Sequence, residues 1–195
     1  MRLFVALHLE EATRAELARA QSGLRSLDRR DQVRWVDPAG VHLTLRFLGE
    51  VPEPRVADLV AELARVAPDH PPPAIGLGDL GAFPSHRDPR VVWIGLRESG
   101  SRLDPLQRAV EAAVRRFGWP PEDRPFQPHL TLGRARDGRG RLAPELRAAL
   151  DVPLQSHAAR THDRLALVRS HLSSPGSRYE DVATWRLGAG RSDRA

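Results

Sequence analysis

Apolar and polar residues alternate along the chain with two different periods, which together predict a succession of strands and helices. Apolar residues recur at helical spacing in four segments: 10–27, 54–66, 103–117 and a short one at 144–150. Apolar runs bounded by proline, glycine or polar residues predict strands at 2–9, 41–48, 74–80, 90–96, 129–132, 164–170 and 183–187. Because the two kinds of element alternate irregularly, the pattern favours a mixed α+β sheet protein over a doubly wound one.

One four-residue motif occurs twice in the chain. The sequence His-Leu-Thr-Leu at 42–45 recurs letter for letter at 129–132, each time after a proline-containing turn and on a predicted strand. This repetition suggests two copies of one supersecondary unit. Residues two apart share a face of a strand, so each histidine and its threonine point one way and the leucines point into a core. Packing of the two units about a pseudo-two-fold axis would bring both histidines and both threonines to one cleft.

Paired histidines and threonines of this kind suit displacement at phosphorus. One imidazole can take a proton from the attacking oxygen while the other gives a proton to the departing oxygen. Threonine hydroxyls can donate to the non-bridging phosphate oxygens, where charge builds in the transition state. This arrangement needs no metal ion. The alternative is that both polar pairs are satisfied by backbone groups in a core, and the identical duplication favours the catalytic interpretation.

With these two motifs the chain resembles the 2H phosphoesterase superfamily. Within it, the chain is most similar to the RNA 2′,3′-cyclic phosphodiesterases, historically called the bacterial and archaeal 2′–5′ RNA ligases. The resemblance covers nearly the whole chain, in the segments 2–7, 35–36, 42–51, 81–85, 91–93, 124–134, 170–172 and 175–179. The sequence departs from the family pattern at Arg46, where the family usually has a lysine, and the substitution keeps the positive charge.

The resemblance implies a bilobal α+β fold. Each of two pseudo-symmetric lobes would have an antiparallel sheet and helices, with the active cleft between them. No low-complexity linker divides the chain, so we expect one catalytic domain over 1–188 and a polar C-terminal tail at 189–195. The resemblance further implies hydrolysis of a terminal RNA 2′,3′-cyclic phosphate to a 2′-phosphate. His42 would be the proton donor to the leaving 3′-oxygen, and His129 the proton acceptor that activates water.

Four more residues receive roles from the same resemblance. Thr44 and Thr131 would bind the phosphate. Phe47 and Arg134, each five residues after its histidine, are candidates for stacking on the terminal base. Strict strand alternation puts both side chains on the face opposite the histidines, unless the strands bend near Gly49 and Gly133. A core or surface role is therefore an equal alternative for these two residues.

Composition narrows the chemistry further. The chain has no cysteine, which excludes disulfides, thiolate metal sites and cysteine nucleophiles. Its 30 basic residues are all arginine, so Schiff-base chemistry and the lysine nucleophile of nucleotidyl-transferring ligases are excluded. A net charge of +5 indicates an anionic partner only weakly. The arginine cluster at 134, 136, 139, 141 and 147 is interpreted as a solvated face, with guidance of an RNA backbone as the weaker alternative.

We expect a cytoplasmic monomer that acts on RNA or oligonucleotides with a 2′,3′-cyclic phosphate end and uses no cofactor and no metal. No apolar run approaches the length of a membrane span, and the N-terminus lacks the pattern of a signal peptide. Two alternatives stay open. The same two histidines could ligate a cyclic phosphate end to a 5′-hydroxyl end as a 2′–5′ bond, or the protein could be a non-catalytic RNA-binding module.

Overall fold

The computed structural model describes residues 1–136, 142–154, 158–173 and 176–188. Its helices are α1 (Glu11–Leu27), α2 (Val56–Val66), α3 (Leu103–Arg116) and α4 (Pro144–Ala149). Its strands are β1 (Arg2–His8), β2 (Val33–Trp35), β3 (His42–Glu50), β4 (Ala74–Ser85), β5 (Asp88–Ser99), β6 (His129–Ala135), β7 (Arg160–Thr161), β8 (Arg164–Ser173) and β9 (Gly176–Arg186). No helix within these ranges is long and apolar enough to cross a membrane. The predicted tail at 189–195 lies outside the described residues.

The strands form two antiparallel sheets, which confirms the predicted α+β class. The first sheet has the order β3-β1-β8-β9, and the second has the order β2-β6-β5-β4-β7. The three-strand arrangement β3-β1-β8 of the first sheet is repeated as β6-β5-β4 in the second. In both cases the strand with the His-Leu-Thr-Leu motif pairs with a strand that precedes it in the chain and is followed by a long helix. The repeat in sequence is therefore a repeat in structure.

The helices cross from one half of the molecule to the other. α1 follows β1 of the first sheet but contacts β4 of the second, and α3 follows β5 of the second sheet but contacts β3 of the first. α2 contacts α3, and α4 contacts α1. Buried apolar residues of both sheets and of all four helices belong to one continuous core cluster. The division into a single catalytic domain over 1–188 stays a prediction.

β1 is buried on both of its faces. Leu3, Val5 and Leu7 belong to the main core, whereas Phe4 and Ala6 form a second small cluster with residues of β8. A central strand that alternates in this way has apolar neighbours on each side, so its five middle residues are all buried. The second cluster lies on the same side of the first sheet as the motif histidine of β3, since Phe4 stacks on that ring. It forms the floor beneath the candidate site.

Several strands are longer than predicted. β4 and β5 extend to 74–85 and 88–99 and form one hairpin, although their sequences contain glycine and proline residues that usually end a strand. The indole of Trp93 lies against Gly81 on the paired strand, and a Cβ atom there would overlap the ring, so glycine is required. β9 begins at 176 rather than 183, because it is an edge strand whose polar residues leave no apolar pattern.

Candidate active site

The two motif strands meet where the sheets approach each other. β3 begins at His42 and β6 begins at His129, and these two strands contact each other. β3 is an edge strand of the first sheet, while β6 lies between β2 and β5 in the second. Contacts between the sheets therefore run along the two strands that hold the repeated motif.

Each motif strand contains a β-bulge at its second leucine. In β3, Thr44 lies opposite Ala6 and Arg46 lies opposite the adjacent Val5, so Leu45 is an extra residue without a partner of its own. Such an extra residue interrupts the alternation of side chains between the two faces of a strand. Leu45 and Arg46 are accordingly both buried, although they are consecutive.

The bulge is repeated at the same place in β6. Thr131 lies opposite Trp93 and Gly133 lies opposite Val92, which leaves Leu132 as the extra residue. The burial pattern of 129–134 is the same as that of 42–47: two half-buried polar residues alternate with buried leucines, then comes a buried residue and then an exposed one. The two motifs therefore have the same β-bulge as well as the same sequence.

These bulges determine on which face of their strands the side chains of Phe47 and Arg134 lie. Phe47 is directly opposite Phe4, whose ring is 5.8 Å away and also stacks on the motif histidine. Arg134 is opposite Val91, which shares a face with Trp93. Both side chains thus lie on the same face as the histidines, and the expectation from strict alternation is wrong. The cause is the bulge at Leu45 in β3 and the equivalent bulge at Leu132 in β6, rather than a bend near Gly49 or Gly133.

His42 is enclosed by two aromatic rings. Phe4 stacks on the imidazole at a centroid distance of 4.6 Å, and the ring of Tyr179 meets it edge-on at 4.9 Å. Nδ1 donates to the carbonyl of Gly40 over 2.8 Å. Burial lowers the pKa of His42 from 6.5 to about 4, although the Gly40 carbonyl opposes that change. The imidazole is therefore neutral at pH 7 in the free protein.

His129 has equivalent contacts in the second sheet. Phe83 meets its ring edge-on at 5.0 Å, and Trp93 is 6.1 Å away. Nδ1 donates to the carbonyl of Gln127 over 2.7 Å. Burial lowers the pKa of His129, the Gln127 carbonyl raises it, and the positive charge of Arg134 lowers it further.

The two rings have the same tautomer for the same reason. A carbonyl oxygen can only accept a hydrogen bond, so the Nδ1 atoms of His42 and His129 must carry the hydrogen. The acceptor in each case is the carbonyl two residues earlier in the chain. Nε2 is then the atom free to take or give a proton. Among the described residues neither Nε2 has a hydrogen-bond partner.

Thr44 and Thr131 lie two residues further along the same strands and are half-buried. By strand alternation each hydroxyl is on the face of its histidine, because the bulge comes only after the threonine. Neither hydroxyl forms a hydrogen bond with the part of the chain that the structure describes. Both are available to donate to a bound group.

A cavity of about 440 Å³ opens beside His42. It is lined in part by His8, which lies opposite His42 in the β1–β3 ladder, and by Asp181 of β9. The imidazole Nε2 of His8 is 2.9 Å from the Asp181 carboxylate. No pattern in the sequence connects His8 with the site. The two residues are far apart in the sequence, so only the sheet topology shows that they form a pair.

Sequence analysis also missed the four rings around the histidines. Phe4, Phe83, Trp93 and Tyr179 all lie in segments that carry the family resemblance, but no pattern within those segments connects them to His42 or His129. Each histidine receives one ring from the strand paired with its own strand in the sheet and one ring from another strand of the same sheet. These contacts follow from strand order, which the sequence does not show.

Arg46 faces away from the histidines. Its side chain is buried and forms ion pairs with Glu111 of α3, at 2.8 Å, and with Glu122. Both carboxylates come from the helix and loop that cover β3, so the pairs tie the motif strand to its covering layer. The position at which the family usually has a lysine therefore serves to hold β3 in place in this protein.

Metal ligands do not gather in the described part of the chain: no group of three or more histidine, aspartate or glutamate side chains there could hold an ion. His157 and His162, five residues apart in the sequence, are a histidine pair to consider as metal ligands. His162 is fully buried and accepts a hydrogen bond from the backbone of Glu10 at 3.0 Å. It joins the turn after β1 to the second sheet. His157 lies outside the described residues.

Comparison with known protein families also detects the internal repeat seen in the structure. The family described as LigT like Phosphoesterase matches the chain twice, over residues 7–93 and 94–179. The two matches begin as far apart as the two motif histidines. The chain belongs to the LigT-like phosphoesterase family. It is therefore a hydrolase with the bilobal α+β fold of that family.

Individual relatives match over nearly the whole chain. An RNA 2′,3′-cyclic phosphodiesterase of Methanothermobacter thermautotrophicus is 33% identical over 189 residues, which are 96% of this chain and 99% of the relative. One from Thermus thermophilus is 36% identical over 197 residues, covering 96% and 90%. The crystal structure of a Thermus thermophilus protein superposes with a TM-score of 0.79 at 32% identity, covering 96% and 98%. Escherichia coli LigT in complex with 3′-AMP superposes with a TM-score of 0.74 at 26% identity, covering 95% and 97%.

Proposed function

We propose that the protein hydrolyses the terminal 2′,3′-cyclic phosphate of RNA to a 2′-phosphate without a metal ion. The observation that carries this proposal is the pair of imidazoles on two contacting strands. Each has its tautomer set by the carbonyl two residues earlier and leaves Nε2 free. Relatives that match most of the chain have the name RNA 2′,3′-cyclic phosphodiesterase, which supports the choice of substrate.

The reaction is a displacement of the 3′-oxygen by water. Nε2 of His129 takes a proton from water as its oxygen bonds to phosphorus. Nε2 of His42 gives a proton to the 3′-oxygen as the bond from phosphorus to that oxygen breaks. Thr44 and Thr131 donate to the non-bridging oxygens, where negative charge increases in the transition state. After one turnover the proton that His129 gained replaces the one that His42 lost.

The donor has to acquire its proton before this step. His42 is neutral at pH 7 in the free protein, because burial lowers its pKa to about 4. A phosphodiester anion that enters beside the ring favours the protonated form and raises the pKa. Substrate binding at neutral pH is therefore coupled to the uptake of a proton by His42. The nearby Asp181 carboxylate acts in the same direction.

Phe47 and Arg134 are proposed to stack on the terminal base. The ring of Phe47 is 55% exposed, which is unusual for a large apolar side chain, and it lies on the histidine face of β3. Arg134 is exposed on the histidine face of β6. An aromatic ring and a guanidinium plane are the two protein groups that stack best on an unpaired base.

The direct test uses an oligonucleotide that ends in a 2′,3′-cyclic phosphate, in the presence of EDTA and in the absence of nucleotide triphosphate. We expect full conversion to the 2′-phosphate, identified by mass spectrometry and by resistance of the product to 3′-specific dephosphorylation. Loss of activity in EDTA that a divalent ion restores would contradict the metal-free mechanism. Addition of an oligonucleotide with a 5′-hydroxyl end tests for ligation, since a joined product identifies the reverse direction.

The purified protein also allows its oligomeric state to be measured. We propose a monomer in the cytoplasm, with no obligate protein partner. A molar mass of one chain, about 21.7 kDa, in light scattering supports the monomer. A mass of two chains contradicts it.

A further inference from the structure

Two arginines lie directly opposite each other beside the candidate site. Arg34 of β2 pairs with Arg134 of β6 in the antiparallel ladder, and both side chains are exposed. Within the described ranges of the chain, neither guanidinium has a carboxylate partner. Arg136, directly after the end of β6, differs in this respect because it forms an ion pair with Asp31 at 3.0 Å.

The side chain of Arg34 is held on the face of the histidines. Its neighbours Val33 and Trp35 lie on the other face, where Val33 is fully buried and both pack against Gly133. Residues directly opposite in an antiparallel pair share a face. Arg34 is therefore on the side of Arg134, which the bulge in β6 places with His129.

Two like charges in this arrangement destabilise a sheet unless an anion lies between them. Cross-strand neighbours have Cβ atoms about 5 Å apart, and like charges directly opposite are unfavourable. An arginine guanidinium binds phosphate through two parallel hydrogen bonds. The Arg34–Arg134 pair, which has no carboxylate partner among the described residues, therefore has the charge and hydrogen-bond donors that a second phosphate group needs.

The distance along the strand fits the next phosphate of the RNA chain. Arg134 follows Thr131 by three residues, which corresponds to roughly 7–10 Å at the rise of a strand. The cavity on the other side, beside His42, has Arg178 in its lining together with Asp37 and Asp181, whose negative charges oppose a second phosphate there. Within the described residues, Arg34 and Arg134 have no such carboxylate partners.

We propose that Arg34 binds the phosphate on the 5′ side of the terminal nucleotide and thereby makes the enzyme prefer oligonucleotide ends over cyclic mononucleotides. Arg134 stacks on the base next to it, and its charge adds to the positive potential. This inference rests on the proposed cyclic phosphodiesterase function. It adds the class of substrate, an RNA strand with at least one internucleotide phosphate, and a residue that selects it.

The test compares two dinucleotide 2′,3′-cyclic phosphates that differ only in the internucleotide linkage. One has the natural phosphodiester, and the other has an uncharged methylphosphonate. For the unaltered protein we expect kcat/KM to be about tenfold higher with the natural linkage, through a lower KM, as for one hydrogen-bonded charge pair. In Arg34→Gln this ratio falls to about one. Arg34→Lys keeps part of the preference, because it keeps the charge and loses the bidentate contact.

Arg136→Gln is the matched control, because it removes the same charge from a nearby arginine that already has a partner. It should keep the full preference. The salt dependence of KM with the natural linkage should weaken by about 0.7 in logarithmic slope in Arg34→Gln and stay unchanged in the control.

The outcomes separate the two proposals. An unaltered protein that cleaves neither dinucleotide overturns the proposed function. One that cleaves both equally well overturns the role of Arg34 alone. An Arg34→Gln variant that keeps the tenfold preference, or an Arg136→Gln variant that loses it equally, also overturns the role of Arg34.

Discussion

The two halves of the candidate site have the same local structure and different surroundings. His42 and His129 begin equivalent strands, precede equivalent bulges and donate from Nδ1 to the carbonyl two residues earlier. The neighbouring strands differ. His42 has Phe4 stacked on its ring and the Asp181 carboxylate nearby, whereas His129 has the charge of Arg134.

This difference indicates which level of structure sets which property. The repeated motif and its turn set the tautomer, so both rings present Nε2. Burial lowers the pKa of both rings, that of His42 to about 4. Nearby charges modify this: His8 lowers and the Asp181 carboxylate raises the pKa of His42, and Arg134, on the same strand as His129, lowers the pKa of His129. Two identical motifs thus present the same Nε2 atom among different nearby charges, and the proposed role of His42 as proton donor requires that a bound phosphodiester anion raise its pKa.

Removal of either histidine should have the largest effect. Alanine at His42 or His129 should lower kcat/KM by about 10²–10⁴-fold, the usual loss for a general acid or base. His171→Ala is the control, because that side chain is paired with Glu180 outside the motifs. The measurement is turnover of the oligonucleotide cyclic phosphate, with circular dichroism to check the fold. Either variant that folds and keeps most of its activity contradicts a catalytic role for that histidine.

Acidification should destabilise the free protein through His42. Its pKa is about 4 when folded and 6.5 when exposed, so between these values the unfolded chain binds more protons and stability falls as pH falls. The full shift corresponds to about 3 kcal/mol. Urea denaturation at pH 7 and pH 4 measures this loss, and His42→Gln should reduce it while His70→Gln, at a histidine outside the site, does not. An equal loss in all three proteins would show that burial of His42 does not govern acid stability.

The sequence was sufficient to predict which segments form helices or strands, and that the repeated motif marks a repeated structural unit. The starts of the strands at His42 and His129 were predicted within a residue because their leucines alternate with polar residues, whereas both strands continue two or three residues past the predicted ends. The bulges were not predictable, since they depend on which residues of β1 and β5 pair with Leu45 and Leu132. The His8–Asp181 pair and the opposition of Arg34 to Arg134 likewise depend on strand order and register.

Smaller effects should separate the surroundings of the two histidines. The plot of kcat/KM against pH should be bell-shaped, with apparent pKa values that belong to the coupled pair. The kcat/KM profile reports the free protein, in which the pKa of His42 is lowered to about 4; Asp181→Asn removes a charge that raises this pKa, so the acidic limb should move to lower pH. Arg134→Gln removes a charge that lowers the pKa of His129, so the alkaline limb should move to higher pH. Asp79→Asn, in a surface pair with Arg97, is the control. Movement of both limbs by either variant would contradict separate tuning.

The division of labour between the histidines is tested most directly by changing the leaving group. A nucleotide diester of nitrophenol releases an anion that needs no proton, so it requires a base but little help from an acid. His42→Ala should lose far less activity on this diester than on the ribose cyclic phosphate, while His129→Ala should lose comparably on both. The reverse pattern would exchange the two roles. Equal losses by both variants on both substrates would contradict the account, because the histidines would then act mainly by binding the phosphate.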